Sequence, residues 1–258
     1  FIPADLEAGK LIGASIYGCT LVAVDGTYDD VNRLCSEIAD NYRWAFVNVN
    51  MRPFYAEGSK TLGYETIEQL DWELPDHAIV PAASGELYTK IWRGFNEMAE
   101  LDLISEPVKT NMHIAQAQGC SPIVEAFLTN ESQVIPVKPD TIARSLAIGN
   151  PAAGAFALQV AKDSSGTATA VPEQEVEAGM KLLAETEGIF TETAGGVVIS
   201  CLKRLAHQKT IGKDDVTVVY ITGNGLKTQE VVEHVVAPVS ISPTFDSFET
   251  TFGDLNIL

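Results

Sequence analysis

Two turns of small residues, each placed after an apolar strand-like run, are the segments of this chain best suited to hold a ligand. The first, Pro81-Ala82-Ala83-Ser84-Gly85-Glu86, opens a long helical pattern. Small side chains let backbone N–H groups approach an anion, Ser84 adds a hydroxyl donor, and a helix N-terminus carries a partial positive charge. The segment predicts a phosphate-binding turn, with a tight turn that serves only helix–sheet packing as the alternative.

The second turn, Thr222-Gly223-Asn224-Gly225, ends the most strongly apolar strand-like run of the chain. Its glycines allow positive φ, and the hydroxyl of Thr222 stands at the carboxyl end of a predicted strand, where α/β proteins bind their ligands. A plain Asn-Gly turn without a ligand is the alternative.

Two further segments combine small residues with the start of a helix. Ile148-Gly149-Asn150-Pro151-Ala152-Ala153-Gly154 is a small-residue loop that precedes a helical pattern. Glu57-Gly58-Ser59-Lys60-Thr61 places Lys60 in the first turn of a helix, where the helix dipole disfavours a cation. That position indicates either an anionic partner for Lys60 or an exposed structural lysine.

The cysteines and histidines show no spacing that is typical of a metal site. No CxxC or HExxH pattern occurs among Cys19, Cys35, Cys120, Cys201, His77, His113, His207 and His234. We therefore expect reduced, buried thiols and no bound metal.

Composition excludes several classes of partner. The chain has 258 residues, of which 46% are apolar, and its 17 Lys and Arg against 35 Asp and Glu give a formal charge of −18. That charge repels nucleic acid and anionic membranes. No apolar run reaches the roughly 18 residues of a membrane-spanning helix, and no signal-like leader opens the sequence. We expect a cytoplasmic protein.

Strand-like and helix-like segments alternate along most of the chain. The predicted strands are 21–25, 45–49, 78–81, 112–116, 167–171 and 216–222. The predicted helices are 29–40, 59–70, 86–101, 122–128, 141–146, 173–186 and 195–207. This alternation predicts an α/β fold, an open, mostly parallel sheet with flanking helices.

Two changes in this pattern suggest a division of the chain. Asn50-Met51-Arg52-Pro53 interrupts the alternation after a predicted strand, and the pattern weakens from Val231 onward. We expect residues 1–50 to be part of a smaller N-terminal lobe, 51–230 to form the main domain, and 231–258 to be a C-terminal extension.

Five segments of the chain belong together as an ordered set. They are Asn-Met-Arg-Pro-Phe-Tyr-Ala-Glu-Gly-Ser-Lys-Thr-Leu-Gly-Tyr-Glu (50–65), Val-Pro-Ala-Ala-Ser-Gly-Glu-Leu (80–87), Ile-Gly-Asn-Pro-Ala (148–152), Glu-Gly-Ile-Phe (187–190) and Thr-Gly-Asn-Gly-Leu-Lys (222–227). Taken together and in this order, they resemble threonine synthase. The resemblance implies the tryptophan-synthase β-like fold and the cofactor pyridoxal 5'-phosphate (PLP), bound by the main domain. Relatives of this kind are commonly homodimers.

The resemblance also implies roles for particular residues. The cofactor phosphate is assigned to Ala82, Ala83, Ser84, Gly85 and Glu86, although relatives are often richer in Gly and Asn there. Thr222 matches the hydroxyl that meets the pyridine nitrogen. Because a hydroxyl holds a pyridinium less well than a carboxylate, the ring is expected to stay largely unprotonated. Substrate contacts are assigned to Lys60, Arg52 and Asn50, and some relatives have an Arg at the position of Tyr55.

One expected motif is absent. Relatives carry a lysine that forms a Schiff base with the cofactor upstream of the segment that begins this chain, so that lysine is expected before Phe1 and the catalytic residue is unknown. The implied reaction converts O-phospho-L-homoserine and water to L-threonine and phosphate. The alternatives are a cysteate synthase or threonine dehydratase of the same fold, a non-catalytic remnant without the lysine, and a generic α/β ligand-binding domain.

Overall fold

The computed structural model describes residues 1–48, 53–104 and 107–253. Its strands are β1 Ile2–Pro3, β2 Ala23–Val24, β3 His77–Pro81, β4 Asn111–Ala117, β5 Ala168–Val171 and β6 Thr217–Val219. Its helices are α1 Ala8–Ser15, α2 Tyr28–Asn41, α3 Pro53–Gly58, α4 Thr61–Gln69, α5 Glu86–Glu100, α6 Pro122–Leu128, α7 Gly154–Asp163, α8 Glu173–Glu187, α9 Thr193–His207 and α10 Phe245–Phe252. None of the helices in these ranges has both the length and the hydropathy needed to cross a membrane.

Four parallel strands form the central sheet, in the order β5-β4-β3-β6. Their register pairs His77 with Asn111 on β4 and with Thr217 on β6, and it pairs Ile114 with Ala168 on β5. The predicted α/β fold with a parallel sheet is confirmed. A separate two-stranded parallel sheet, β1-β2, lies near the N-terminus. The division into a lobe, a main domain and an extension stays a prediction.

Helices cover both faces of the central sheet. Alternate residues of β3 point to opposite sides, so that Ala78 and Val80 pack against one helical layer and Ile79 packs against the other. The first layer contains α4, α5, α6 and α7, and the second contains α8 and α9. All five residues of β3 are buried, as expected for the inner strand of a sheet that is covered twice.

Strand order creates a crevice between β3 and β6. From β3 the chain moves outward to β4 and β5 through helices on one face, then returns over the other face to β6 on the opposite side of β3. The connections that leave β3 and arrive at β6 therefore lie on opposite faces. Such a reversal opens a crevice at the carboxyl ends of the two strands, where open α/β sheets bind ligands.

Two predicted elements are wrong. Residues 45–48 form no strand in the described part of the chain, and residue 49 lies outside it. The predicted helix 141–146 is reduced to a 3-10 turn at Arg144–Leu146. There the backbone N–H groups of Ile142 and Ala143 donate to the side chains of Glu173 and Thr141, and these local bonds compete with helix formation.

The cysteine prediction is confirmed at three of four positions. Cys35, Cys120 and Cys201 are buried free thiols, whereas Cys19 is free but exposed. Burial raises the pKa of Cys120 and Cys201 to about 11, so both are unreactive thiols at neutral pH.

A directional chain of hydrogen bonds crosses the sheet near its amino edge. The backbone N–H of Thr167 donates to Nδ1 of His113 (3.2 Å), which leaves the hydrogen of His113 on Nε2. That nitrogen donates to Nδ1 of His77 (2.9 Å), and Nε2 of His77 donates to the Asp215 carboxylate (3.1 Å). The chain satisfies two imidazoles buried beneath the helices.

Acid should weaken this fold through His113. Burial, followed by the neighbouring His77, lowers the pKa of His113 from 6.5 to about 4. The unfolded chain therefore binds more protons than the folded one between these values, and stability falls as pH falls through that window and levels off below it. Between pH 7 and pH 5 the loss from this group is about 2 kcal/mol.

Urea unfolding at pH 7 and pH 5 measures this effect. His113→Gln, although less stable overall, should lose about 2 kcal/mol less than the parent over that interval. His207→Gln, at the exposed end of α9, is the matched control and should keep the parent's dependence. Equal pH dependence in the parent and His113→Gln would contradict the assignment.

Candidate functional site

A cleft of about 430 Å³ occupies the crevice at the carboxyl ends of β3 and β6. Residues 83–87, from the turn after β3, line one part of it, and Thr222, three residues beyond β6, lines another. Its volume lies within the range of small-molecule sites. The two turns that the sequence singles out are therefore walls of one cavity.

The sheet fixes the base of the first turn. The N–H of Ala82 donates to the carbonyl of Ala115 (3.0 Å), and the buried amide of Gln116 donates to the carbonyl of Ala82 (3.1 Å). The side-chain oxygen of Gln116 also accepts from the N–H groups of Ile123 and Val124 (3.0 and 3.1 Å), which begin α6. One buried side chain thus ties the turn to a neighbouring helix.

The rest of the turn presents unused donors. Within the described part of the chain, no acceptor receives a hydrogen bond from the N–H groups of residues 83–87. Gly85 precedes α5 with φ of 88°, a conformation that favours glycine. One turn further on, fully buried Tyr88 donates its hydroxyl to the carbonyl of Met112 (2.9 Å), which holds the helix against β4. A fixed helix N-terminus with free amides suits an anion.

The second turn is held by the segment that begins α9. The N–H of Glu192 and the hydroxyl of Thr191 both donate to the carbonyl of Gly223, at 3.0 and 3.1 Å. Thr191 also forms an isolated antiparallel bridge with Asn224. These bonds fix the residues next to Thr222, whose side chain stays exposed in the cleft.

Glu192 is a buried carboxylate in the wall of the cleft. It is 6% exposed, it caps α9 without using its side chain, and no donor among the described residues reaches its carboxylate. A Cβ at Gly223 would collide with this carboxyl group. Glycine is therefore required at position 223 by the close approach of Glu192.

Other charged side chains in the cleft form ion pairs or have a shifted pKa. The Lys10 ammonium binds the Glu7 carboxylate (2.9 Å), and Arg144 pairs with Asp5. Glu86 lies close to the free amides, and burial raises the pKa of its carboxyl group, with Lys90 opposing the shift.

The structure brings together most of the residues predicted to bind the cofactor. Ala83, Ser84, Gly85, Glu86 and Thr222 all line the cleft. Ala82 does not: it is 1% exposed and its N–H is already bonded. Its contribution is to anchor the turn, and the predicted roles of the whole set in cofactor binding stay predictions.

Of the residues predicted to bind substrate, Lys60 alone lies in the described part of the chain. The Lys60 ammonium is bound by Glu57 (2.5 Å) and Glu97 (2.8 Å), and Lys60 is not part of the cleft wall. This pairing explains why a cation is tolerated in that helical turn, and the substrate role of Lys60 stays a prediction. Asn50 and Arg52 lie outside the described residues.

Several cleft residues were not singled out from the sequence. Glu192, Lys10 and Tyr28 reach the cleft from segments distant from both turns. The neighbouring Glu-Gly-Ile-Phe motif at 187–190 was the one signal near Glu192. Tyr55, noted for an Arg in some relatives, also lines the cleft. In the residues described, no three His, Cys, Asp or Glu side chains group as a metal site requires.

Comparison with known sequences gives consistent matches. The family described as pyridoxal-phosphate dependent enzyme matches residues 1–223. The threonine synthase of Methanocaldococcus jannaschii is 39% identical over 220 residues, which are 85% of this chain and 54% of that protein. The threonine synthase of Methanosarcina acetivorans is 32% identical over 98% of this chain and 62% of its own length. The chain thus spans little more than half the length of these relatives.

Solved structures share the fold. Holo diaminopropionate ammonia lyase from Escherichia coli superposes with a TM-score of 0.70 at 18% identity, over 92% of this chain and 64% of that one. The processed form of threonine deaminase isoform 2 from Solanum lycopersicum gives 0.70 at 16% identity, over 91% and 61%. At these identities the likeness establishes the fold, which is tryptophan-synthase β-like.

Replacing Gly85 tests the geometry of the first turn. In Gly85→Ala, the new Cβ meets the Ala153 carbonyl oxygen at 3.1 Å and the backbone keeps a left-handed φ. The variant should lose about 1–2 kcal/mol of stability in urea unfolding and bind pyridoxal phosphate more weakly. Gly13→Ala, in open space on α1, is the control and should be neutral or slightly stabilising. A Gly85→Ala variant as stable as the parent would contradict the strained turn.

Proposed function

Because the chain belongs to the family of pyridoxal-phosphate dependent enzymes, we propose that the complete protein is a threonine synthase. It would convert O-phospho-L-homoserine and water to L-threonine and phosphate. The observation that carries the proposal is that the two turns of the threonine synthase resemblance, separated by more than 130 residues, form one cleft. The curated relatives named threonine synthase support it over most of this chain.

The described residues fit the family's cofactor. The N–H groups of residues 83–87, which meet no acceptor among the described residues, suit a phosphate, and the glycine at position 85 lets the backbone approach it. Thr222 lies in the same cleft and offers a hydroxyl to the ring. When bound, the cofactor supplies an electron sink for carbanions of the amino acid.

In this proposal the residues of this chain anchor and orient the cofactor. Residues 83–87 hold the phosphate end of the cofactor, Gln116 keeps that turn on the sheet, and Thr222 fixes the ring by one neutral hydrogen bond. Tyr28 and Tyr55 line the same cleft. Lys60, Arg52 and Asn50 are proposed for the substrate, and a lysine upstream of Phe1 is proposed for the covalent link to the cofactor.

The reaction breaks the Cγ–O bond to phosphate and one Cβ–H bond, and it forms a C–O bond from water at Cβ and a new C–H bond at Cγ. Loss of protons from Cα and Cβ must precede the release of phosphate, so the groups that move these protons have to lie near the reacting carbons. We propose a cytoplasmic location for the protein and a homodimer as its assembly.

A phosphate-release assay tests the activity. The complete protein, supplied with PLP, should release phosphate from O-phospho-L-homoserine and form threonine in equal amount. The rival activity, threonine dehydratase, would instead release ammonia from threonine. Ammonia without phosphate release would contradict the proposal, and so would sulfite-dependent formation of cysteate in place of threonine.

The Thr222 hydroxyl can be tested separately. Thr222→Val keeps the shape but removes the hydrogen bond, so turnover should fall about tenfold or more, while the thermal midpoint without cofactor stays unchanged. Thr186→Val, on the exposed end of α8, is the matched control. An unchanged steady-state rate in Thr222→Val would remove Thr222 from this role.

A further inference from the structure

The loop at 148–153 contacts the phosphate-binding turn. The N–H of Ala153 donates to the carbonyl of Ser84 (2.9 Å), and the Ala153 carbonyl lies against Gly85, 3.1 Å from where a Cβ would be. This loop is one of the segments of the threonine synthase resemblance, yet it supplies no group assigned to the cofactor or the substrate. Its position suggests that it supports the turn.

One carboxylate from the N-terminal part of the chain holds the other end of this loop. Oδ2 of Asp29, in the first turn of α2, accepts from the N–H groups of Gly149 (3.0 Å) and Asn150 (3.2 Å). The residues beside this contact, Tyr28 and Ile148, both line the cleft. The contact therefore joins the two sides of the cleft directly behind its wall.

The first turn of α2 suits an acidic side chain, but the capping of this helix does not use Asp29. The capping of that helix is carried out by Thr27 and Asp30, which bond each other's backbone N–H groups. No cation of the described residues forms an ion pair with Asp29, and burial raises the pKa of its carboxyl group although the two N–H donors oppose the shift. Asp29 thus accepts two backbone hydrogen bonds without an ion-pair partner among the described residues.

We propose that Asp29 is a positioning residue for the cofactor site. By holding residues 149 and 150, it keeps Ala153 against Ser84 and Gly85, and so keeps the amides of the turn in the arrangement that binds the phosphate of PLP. The proposal rests on the cofactor site given above and not on the identity of the amino acid substrate.

Three variants of the complete protein test it. Asp29→Ala removes both acceptors, Asp29→Asn keeps an oxygen that can accept both N–H groups, and Asp40→Ala removes an exposed carboxylate from the other end of α2. Each is measured by titration with PLP, by the thermal midpoint without cofactor, and by amide hydrogen exchange of residues 83–87 with and without PLP.

The expected pattern separates positioning from simple stability. Asp29→Ala should raise the dissociation constant of PLP about fivefold or more, equivalent to about 1 kcal/mol, and should speed exchange at 83–87 before PLP is added. Asp29→Asn and Asp40→Ala should match the parent in the dissociation constant of PLP and in the exchange rate at 83–87. If Asp29→Ala does not fold, Asp29→Ser takes its place, because the serine side chain is too short to reach the N–H groups of residues 149 and 150.

Two results would overturn the proposal. One is an Asp29→Ala variant, or its Ser substitute, with unchanged affinity and unchanged exchange at 83–87. The other is an Asp29→Asn variant as defective as the alanine, since the hydrogen bonds would then not be the cause. Failure of the proposed function is distinguishable, because it appears in the parent: no threonine is formed, although the turn is protected by PLP.

Discussion

The adjacency of β3 and β6 is the constraint on which the cleft depends. Because the chain leaves β3 over one face of the sheet and reaches β6 over the other, these connections leave a crevice at the carboxyl ends of the pair. The turn at 82–87 and the turn at 222–225 each follow one of these strands. Main-chain hydrogen bonding in the sheet thus places residues 83–87 and the Thr222 hydroxyl in the wall of one cavity.

Buried polar side chains convert this adjacency into a fixed geometry. Gln116 satisfies the backbone of the first turn and the first N–H groups of α6, and Thr191 binds the carbonyl of Gly223 in the second turn. Breaking one partner of such a buried bond leaves the other unsatisfied, at a cost of about 1–3 kcal/mol. Asp29 extends the same principle to the loop at 148–153, so the support of the cleft reaches the N-terminal part of the chain.

Sequence patterns were sufficient where the signal is local. On α8, Val176, Met180 and Leu183 recur at the spacings of four and three that are typical of one helix face, and all three side chains are buried. Small residues directly after two strands identified both turns of the cleft. Local patterns failed where side chains compete with the backbone for hydrogen bonds, as at 141–146. They also failed at 45–48, where a strand-like run pairs with no strand in the described part of the chain.

Contacts between distant segments could not be predicted in this way. Glu192 and Asp29 belong to ordinary helix starts in the sequence, and their roles come from the glycine or the amides that they meet across the fold. The role of Lys60 could not be decided from the sequence for the same reason, because its partner Glu97 lies on α5, far along the chain.

A crystal structure of the complete protein with PLP tests the central claim most directly. The account predicts phosphate oxygens within about 3 Å of amide nitrogens in residues 83–87, and the ring nitrogen within the same distance of the Thr222 hydroxyl. A phosphate bound elsewhere, or a ring nitrogen turned away from Thr222 while the phosphate is in place, would contradict it.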